Sequence, residues 1–316
     1  MLRPAYTITL GSTSITSATS LSVARAQNAG PGLVTLALGR TPGVGAEQGD
    51  PVTVELGWDG DTTLVFTGAV STVQRRIDGL RVDCTGAQAK LALARSGQTY
   101  VQQTAGGVVS ALAADAGVDV DTVEDGIDLP LYVADTGRSH HGHCLRLARW
   151  CGFDVYETAA GAVAFSPFTR TAADHTFRFG AEVLAAALEL TEPEGAPTVV
   201  PESPASSLGD ETASWLVKDP APHAGGDGPA VLSESALRTK EAADSAARAA
   251  AARAQRAAAS GRVELAGAPQ VALGDAVALA GMPDGALDRT YQVLGLRHVL
   301  DRRRGFRTQL SLGAAA

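Results

Sequence analysis

A chain of 316 residues with 45% hydrophobic content is long enough for two or three domains, each with a real core, and excludes global disorder. A formal charge of −8, with only 19% charged residues, disfavours wrapping of nucleic acid by a basic surface. No apolar run reaches bilayer-spanning length, and Arg3-Pro4 followed by polar strand residues is not a signal-peptide core, so cytoplasmic synthesis without membrane insertion is expected.

From Tyr6 to Leu38 apolar residues alternate: Ile8, Leu10 and Ile15, then Leu21 and Val23, then Val34, Leu36 and Leu38 after a Gly-Pro-Gly turn at 30–32. These are short strands separated by turns. With the segment Gly49 to Cys84 they make about six strands, enough to close a small barrel over residues 1–94.

Residues 99–168 change character. Thr104 predicts a cap for a helix carrying Val108, Val109, Leu112 and Ala113 and stopping at Gly117. Ser139 likewise precedes a helix with Leu145, Leu147, Ala148 and Trp150 that ends at Gly152. Phe153 to Tyr156, a turn at Ala160-Gly161 and Val163 to Phe165 read as a hairpin, so an α/β insertion occupies 95–180.

Residues 192–230 concentrate Pro, Gly, Ser and acidic residues around Trp215-Leu216-Val217, which predicts a mobile loop with one short strand. Residues 235–260 are almost all Ala with Lys, Arg, Glu and Asp, a strongly helical composition. It has no a/d heptad, so packing on its own barrel or a neighbouring subunit is expected instead of a coiled coil. A second barrel spans 181–316, borrowing a strand from 183–190. The expected fold class is α+β, predominantly β: two similar small β-barrel domains, an inserted α/β domain and an Ala-rich helix.

The two barrels are linked by a repeat. Gly49-Asp50 leads into Val52 and Val54, then Phe66 to Val70, basic Arg75-Arg76, and closing Leu80 to Cys84. Gly274-Asp275 leads into Val277 and Leu279, then Tyr291 to Leu296, basic Arg302 to Arg304, and closing Phe306 to Leu310. Order and spacing agree within a few residues, the mark of an internal duplication presenting quasi-equivalent surfaces.

Three stretches carry a family resemblance: Tyr100 to Val109, Leu145 to Tyr156, and the C-terminal block of Ala-rich helix, Gly274-Asp275, Tyr291-Gln292-Val293, Arg297-His298 and Gly305 to Thr308. Together they make the chain similar to the tail-hub proteins of contractile phage tails and related injection machines, late control protein D and the hub portion of VgrG. The resemblance covers most of the chain and implies a structural, non-enzymatic homotrimer with no cofactor. Its implied partners are the inner tail tube protein, a spike or tip protein and other baseplate proteins. It implies synthesis in a bacterial cytoplasm and incorporation into a phage virion or phage tail-like injection particle. VgrG proteins continue into an oligonucleotide-fold domain and a triple-stranded β-helix, whereas this sequence runs only to Ala316, so a separate spike polypeptide is expected. Three chains with two barrels each would let one ring meet a six-fold tube and a three-fold spike.

The densest reactive cluster is Ser139-His140-His141-Gly142-His143-Cys144. Imidazoles and a thiol are zinc and copper ligands, and Ser139 with His141 and an Asp would be the parts of a hydrolase. Against this, His140, His141 and His143 do not share a helical face at i, i+4, and no G-x-S-x-G elbow surrounds Ser139. A polar helix N-terminus is the plain reading. Cys84, Cys144 and Cys151 form no CxxC pair, and Cys144 and Cys151 would lie roughly 10 Å apart on a helix, too far for a bridge. The carboxylate pairs Asp59/Asp61 and Glu192/Glu194 fall in loops, the Gly43-Val44-Gly45 and Gly225 to Gly228 stretches lack phosphate-loop context, and Arg302 to Arg304 read as a charged hairpin turn.

Overall fold

The computed structural model describes residues 3–15, 17–40, 45–192, 198–200, 231–234, 236–237 and 240–315. Alternating apolar residues build the first lobe from β1 (Pro4–Leu10), β2 (Thr13–Ile15), β3 (Ala18–Ala26), β4 (Leu33–Gly39), β5 (Pro51–Trp58), β6 (Asp61–Arg76) and β7 (Gly79–Gly86). The inward residues, among them Ile8, Leu21, Val34, Val54, Phe66 and Val82, fuse into one core around which these strands curl. Period-two alternation sends every second side chain to that core.

The inserted layer follows: α1 (Gln88–Leu93), β8 (Gln98–Thr104), α2 (Ala105–Asp115), β9 (Val120–Val123), β10 (Asp128–Ala134), α3 (His140–Cys151), β11 (Asp154–Glu157) and β12 (Val163–Ser166). Thr104 and Ser139 cap α2 and α3 by accepting from the Gly107 and Gly142 N–H groups. Gly152 ends α3 at φ +75, a left-handed position that glycine occupies without the Cβ penalty. β11 and β12 form the predicted hairpin, while the antiparallel β8–β10 pair went unforeseen.

The second lobe is made of β13 (His175–Arg178) and β14 (Val183–Leu190), then, beyond β15 (Thr198–Val200), β16 (Val231–Ser233) and α4 (Lys240–Ala257), of β17 (Ala259–Ala266), β18 (Ala276–Ala280), β19 (Thr290–Asp301) and β20 (Gly305–Ala314). Its own core holds Val263, Val277, Tyr291, Val293 and Leu310. β14 supplies the strand expected from 183–190, pairing with β17. Two boundaries differ from expectation. β13, within the segment read as insertion, pairs with β18 of the second lobe. Helix α4 ends at Ala257, because Ala259 and Ser260 already belong to β17, and its first expected residues, 235 and 238–239, lie outside the described residues. Buried Ala242, Ala243 and Ala246 pack into the core of the inserted layer, not only against a barrel, since small side chains let α4 approach α3 closely. Most of the 192–230 loop, with Trp215, also lies outside the described residues.

The duplication is legible strand by strand. In the first lobe the ladder runs β3-β4-β7-β6-β5-β1, and in the second β14-β17-β20-β19-β18-β13. Val23, Val34, Cys84 and Val70 stand in one row across the first, and Leu188, Gly261, Leu312 and Val293 in the matching row of the second. A register shift falls immediately after Val70 and again after Val293. The entry turns match atom for atom: Gly49 and Gly274 have φ of +94 and +85, and their N–H groups donate to Val70 O and Val293 O at 2.9 and 3.1 Å. Asp50 and Asp275 each accept from the N–H three residues back, at Glu47 and Ala272. The two lobes are also one sheet. β3 pairs antiparallel with β19, Ala26 opposite Gly295 through Ser20 opposite Asp301, so a single 13-stranded ladder crosses the molecule.

Candidate functional site at the lobe junction

The β3–β19 ladder leaves two kinds of contact behind it. On the apolar side, Phe306 from the second lobe enters the first lobe's core, 5.4 Å from the Trp58 ring, and Trp58 Nε1 donates to Gly267 O at 2.9 Å. His298, on the neighbouring strand β19, is fully buried and its Nδ1 bonds Thr308 Oγ1 at 2.9 Å. Burial holds the His298 imidazole down at about 3, with the nearby Arg25 charge acting the same way.

On the polar side, four elements meet at Asp154. Arg256 of α4 donates to both its carboxylate oxygens at 2.9 and 3.1 Å, Asn28 Nδ2 to Oδ1 at 2.7 Å, and Gln292 Nε2 to Oδ2 at 2.8 Å. Gln292 also reaches Gln27 Oε1 at 3.0 Å, and Asn28 Oδ1 accepts from Val155 N at 2.9 Å. A buried carboxylate persists only when paired and fully hydrogen-bonded, which this one is. Beside it lies a cavity of about 300 Å³, lined by Gln27, Tyr156, Arg170, Gly274 and Gln292 among others. Gln27 Nε2 and Gln292 Oε1 have no protein partner there.

A second buried pair ties the first lobe to the insertion. Arg25 Nη1 donates to Glu157 O at 3.1 Å, and Glu157 Oε2 accepts from Gln88 N at 3.0 Å. Burial lowers Arg25 to about 10 and pushes the Glu157 carboxyl up, against the opposing pull of the Gln88 N–H and Arg25. Gly86 is required here, since a Cβ would overlap the Glu157 carboxylate. The sequence signal for Arg25 was available: it continues the inward series Leu21, Val23 with a charge.

The histidine cluster is dispersed by the helix that carries it. All three rings are buried, which corrects the reading of a merely polar helix end, and they point to different partners. His143 bonds Tyr132 Oη at 2.8 Å and Asp135 O at 3.0 Å. His140 bonds Leu112 O at 3.2 Å and Ser96 Oγ at 2.9 Å, and His141 keeps its Nε2 unpaired. Desolvation lowers the His141 and His143 rings, favouring neutral imidazole. Ser139 is spent as a cap. Ser96, His140 and Asp115 do come together, which the sequence did not reveal. Asp115 Oδ2 lies 3.4 Å from the same Nε2 that Ser96 contacts, so it does not orient the ring from the far nitrogen as a triad carboxylate does. Among the described residues no three His, Cys, Asp or Glu side chains converge as for a metal ion. The thiols are free, Cys84 and Cys144 buried and pushed up to about 12, Cys151 half-buried and up to about 11.

The remaining candidates sit at turns. Asp59 is the β5–β6 turn, accepting from Arg3 N; Asp301 accepts from the Arg303 and Arg304 N–H groups, making the predicted charged hairpin. Glu192 is exposed, whereas Glu194, Gly43 and Gly225 to Gly228 lie outside the described residues. Among the described residues no helix is long and apolar enough to cross a membrane.

Sequence comparison finds no matching family model and no matching curated relative. Comparison of folds does. The 43 kDa tail protein of prophage MuSo2 from Shewanella oneidensis aligns over 98% of this chain and 96% of its own, at 16% identity and a TM-score of 0.71. A tail protein from Neisseria meningitidis MC58 aligns over the same shares, at 14% and 0.70. The Escherichia coli c3393 protein, a component of the type VI secretion system with structural similarity to the T4 tail proteins gp27 and gp5, aligns over 98% of this chain and 77% of its own, at 11% and 0.65. At these identities the likeness is one of fold.

Proposed function

We propose that the chain is a structural hub of a phage tail or tail-like injection particle, a homotrimeric ring joining a six-fold inner tube to a three-fold spike. The observation that carries this reading is the row-for-row equivalence of the two lobes. Three chains so built present six like modules while the particle stays three-fold, which is what a symmetry adaptor requires. The fold shared with tail proteins of two bacterial species supports it. Its partners would be the inner tube protein, a separate spike or tip protein and other baseplate proteins, in a particle assembled after synthesis in the bacterial cytoplasm.

We further propose the division 1–94, 95–180 and 181–316, with β13 moved to the last unit and α4 docked on the middle one. No catalytic step is assigned. A hydrolase built on His140, His141 and His143 is disfavoured because the His140 and His143 rings are committed to separate neighbours and His141 is buried with its Nε2 unpaired. The test is mass in solution followed by electron microscopy: three chain masses with six-fold-like density on one ring face are expected, and a single-chain mass at all concentrations would refute the ring.

A further inference from the structure

Among the described residues the β3–β19 ladder has no counterpart between β14 and β6, which leaves two open strand edges. On β19, one edge is covered by β20, and the other by β18 in its first half and by β3 in its second. Its counterpart β6 has β7 on one edge and β5 against the first half of the other. Among the described residues nothing pairs with that edge from Thr72 to Arg76. Conversely, among the described residues β14, the counterpart of β3, is paired from Ala185 to Leu190 on its β17 side alone, with Val183 also bridging Phe179.

Exposure follows the same division. In β3 the inward residues Leu21 and Val23 are buried in the first lobe's core and Arg25 against Glu157, whereas of the matching residues of β14 Ala186 and Leu190 are exposed and Leu188 is half-buried on the second lobe's core. Leu300, opposite Leu21 near the end of β19, packs on the first lobe's core, while Ile77, at the corresponding position just after β6, is 88% exposed. From Ala185 to Leu190 the strand is uncharged apart from Glu189 and has no proline, so it has none of the usual guards against edge pairing.

We propose that a second copy of this chain fills the β14 edge with the distal half of its β6, in the register with which β19 fills β3; this rests on the ring reading above. Carrying the rows across, Ala24 opposite Arg297 becomes Glu189 opposite Gln74, and Ala26 opposite Gly295 becomes Thr191 opposite Thr72. The single charge of the β14 edge, Glu189, meets a basic segment, since Arg75 and Arg76 follow Gln74. The contact is heterologous, β14 of one copy to β6 of the next, so it repeats head to tail and closes when every edge is taken.

Glu189→Cys and Gln74→Cys, both at exposed positions, test this in the full chain under mild oxidation, with the parent chain as control. Each single variant alone is expected to stay uncrosslinked, their mixture to give disulfide-linked dimers, and the double variant to give covalent trimers. A chain that is trimeric by mass but forms no such disulfide overturns this interface and leaves the ring intact. A chain that stays monomeric by mass overturns both.

Discussion

The first and second lobes keep the same rows of residues and the same bulge, yet they differ in how their outer strands are attached. β1 runs antiparallel to β5, whereas β13 runs parallel to β18. The turn from β3 to β4 spans 27–32, while the route from β14 to β17 spans 191–258 and carries α4. A surface connection tolerates insertion because each doubling of its length adds only about 0.6 kcal/mol of closure entropy. Interior rows do not tolerate it, since a one-residue slip turns every inward side chain outward. The two lobes therefore agree along the ladder and differ at the edges.

The largest way to break the comparison is at the junction that only the joined lobes create. Asp154→Ala strands the Arg256 guanidinium and leaves Asn28 and Gln292 short of a partner, so a loss of about 3–5 kcal/mol is expected in denaturant unfolding. An effect below 1 kcal/mol would mean that the lobes do not depend on this contact.

Next comes His298, which takes the strand position of Arg75 in the first lobe but is buried where Arg75 is exposed. Its folded-state value of about 3 lies below the ordinary one, so the unfolded chain binds the extra proton and stability falls as pH drops below about 6.5. Between pH 6.5 and 5 the parent chain should lose about 2 kcal/mol more than His298→Gln. Parallel pH profiles for the two would show that His298 takes up its proton alike in the folded and unfolded chain.

The smallest effect sharpens the equivalence itself. Gly49→Ala and Gly274→Ala should share a backbone penalty of about 1–2 kcal/mol for their positive φ. Gly274→Ala should lose about 1 kcal/mol more, because its Cβ would meet Tyr156 Oη at 3.2 Å and Gln27 Nε2 at 3.3 Å where Gly49 faces open space. Equal melting temperatures for the two variants would contradict that difference.

Much of this was readable beforehand where the cause is local. Thr104, Ser139 and Gly152 announced helix ends through capping and left-handed backbone, and alternating Leu21, Val23, Val34 and Leu36 announced strands. The β8–β10 ladder escaped because β8, QTYVQQT, shows no apolar alternation and meets its partner across α2. Asp154 and its partners Asn28, Gln292 and Arg256 escaped because each partner reaches Asp154 from more than a hundred residues away along the chain.

The sequence by itself determined the elements, their caps and the doubled strand order, because side-chain alternation and backbone sterics act over a few residues. Only the tertiary structure decided that β3 would take β19 as its neighbour and that α4 would lie on α3. Strand edges bond through backbone N–H and C=O groups that every residue carries, and an alanine stripe fits many surfaces, so neither choice is written in residue identity.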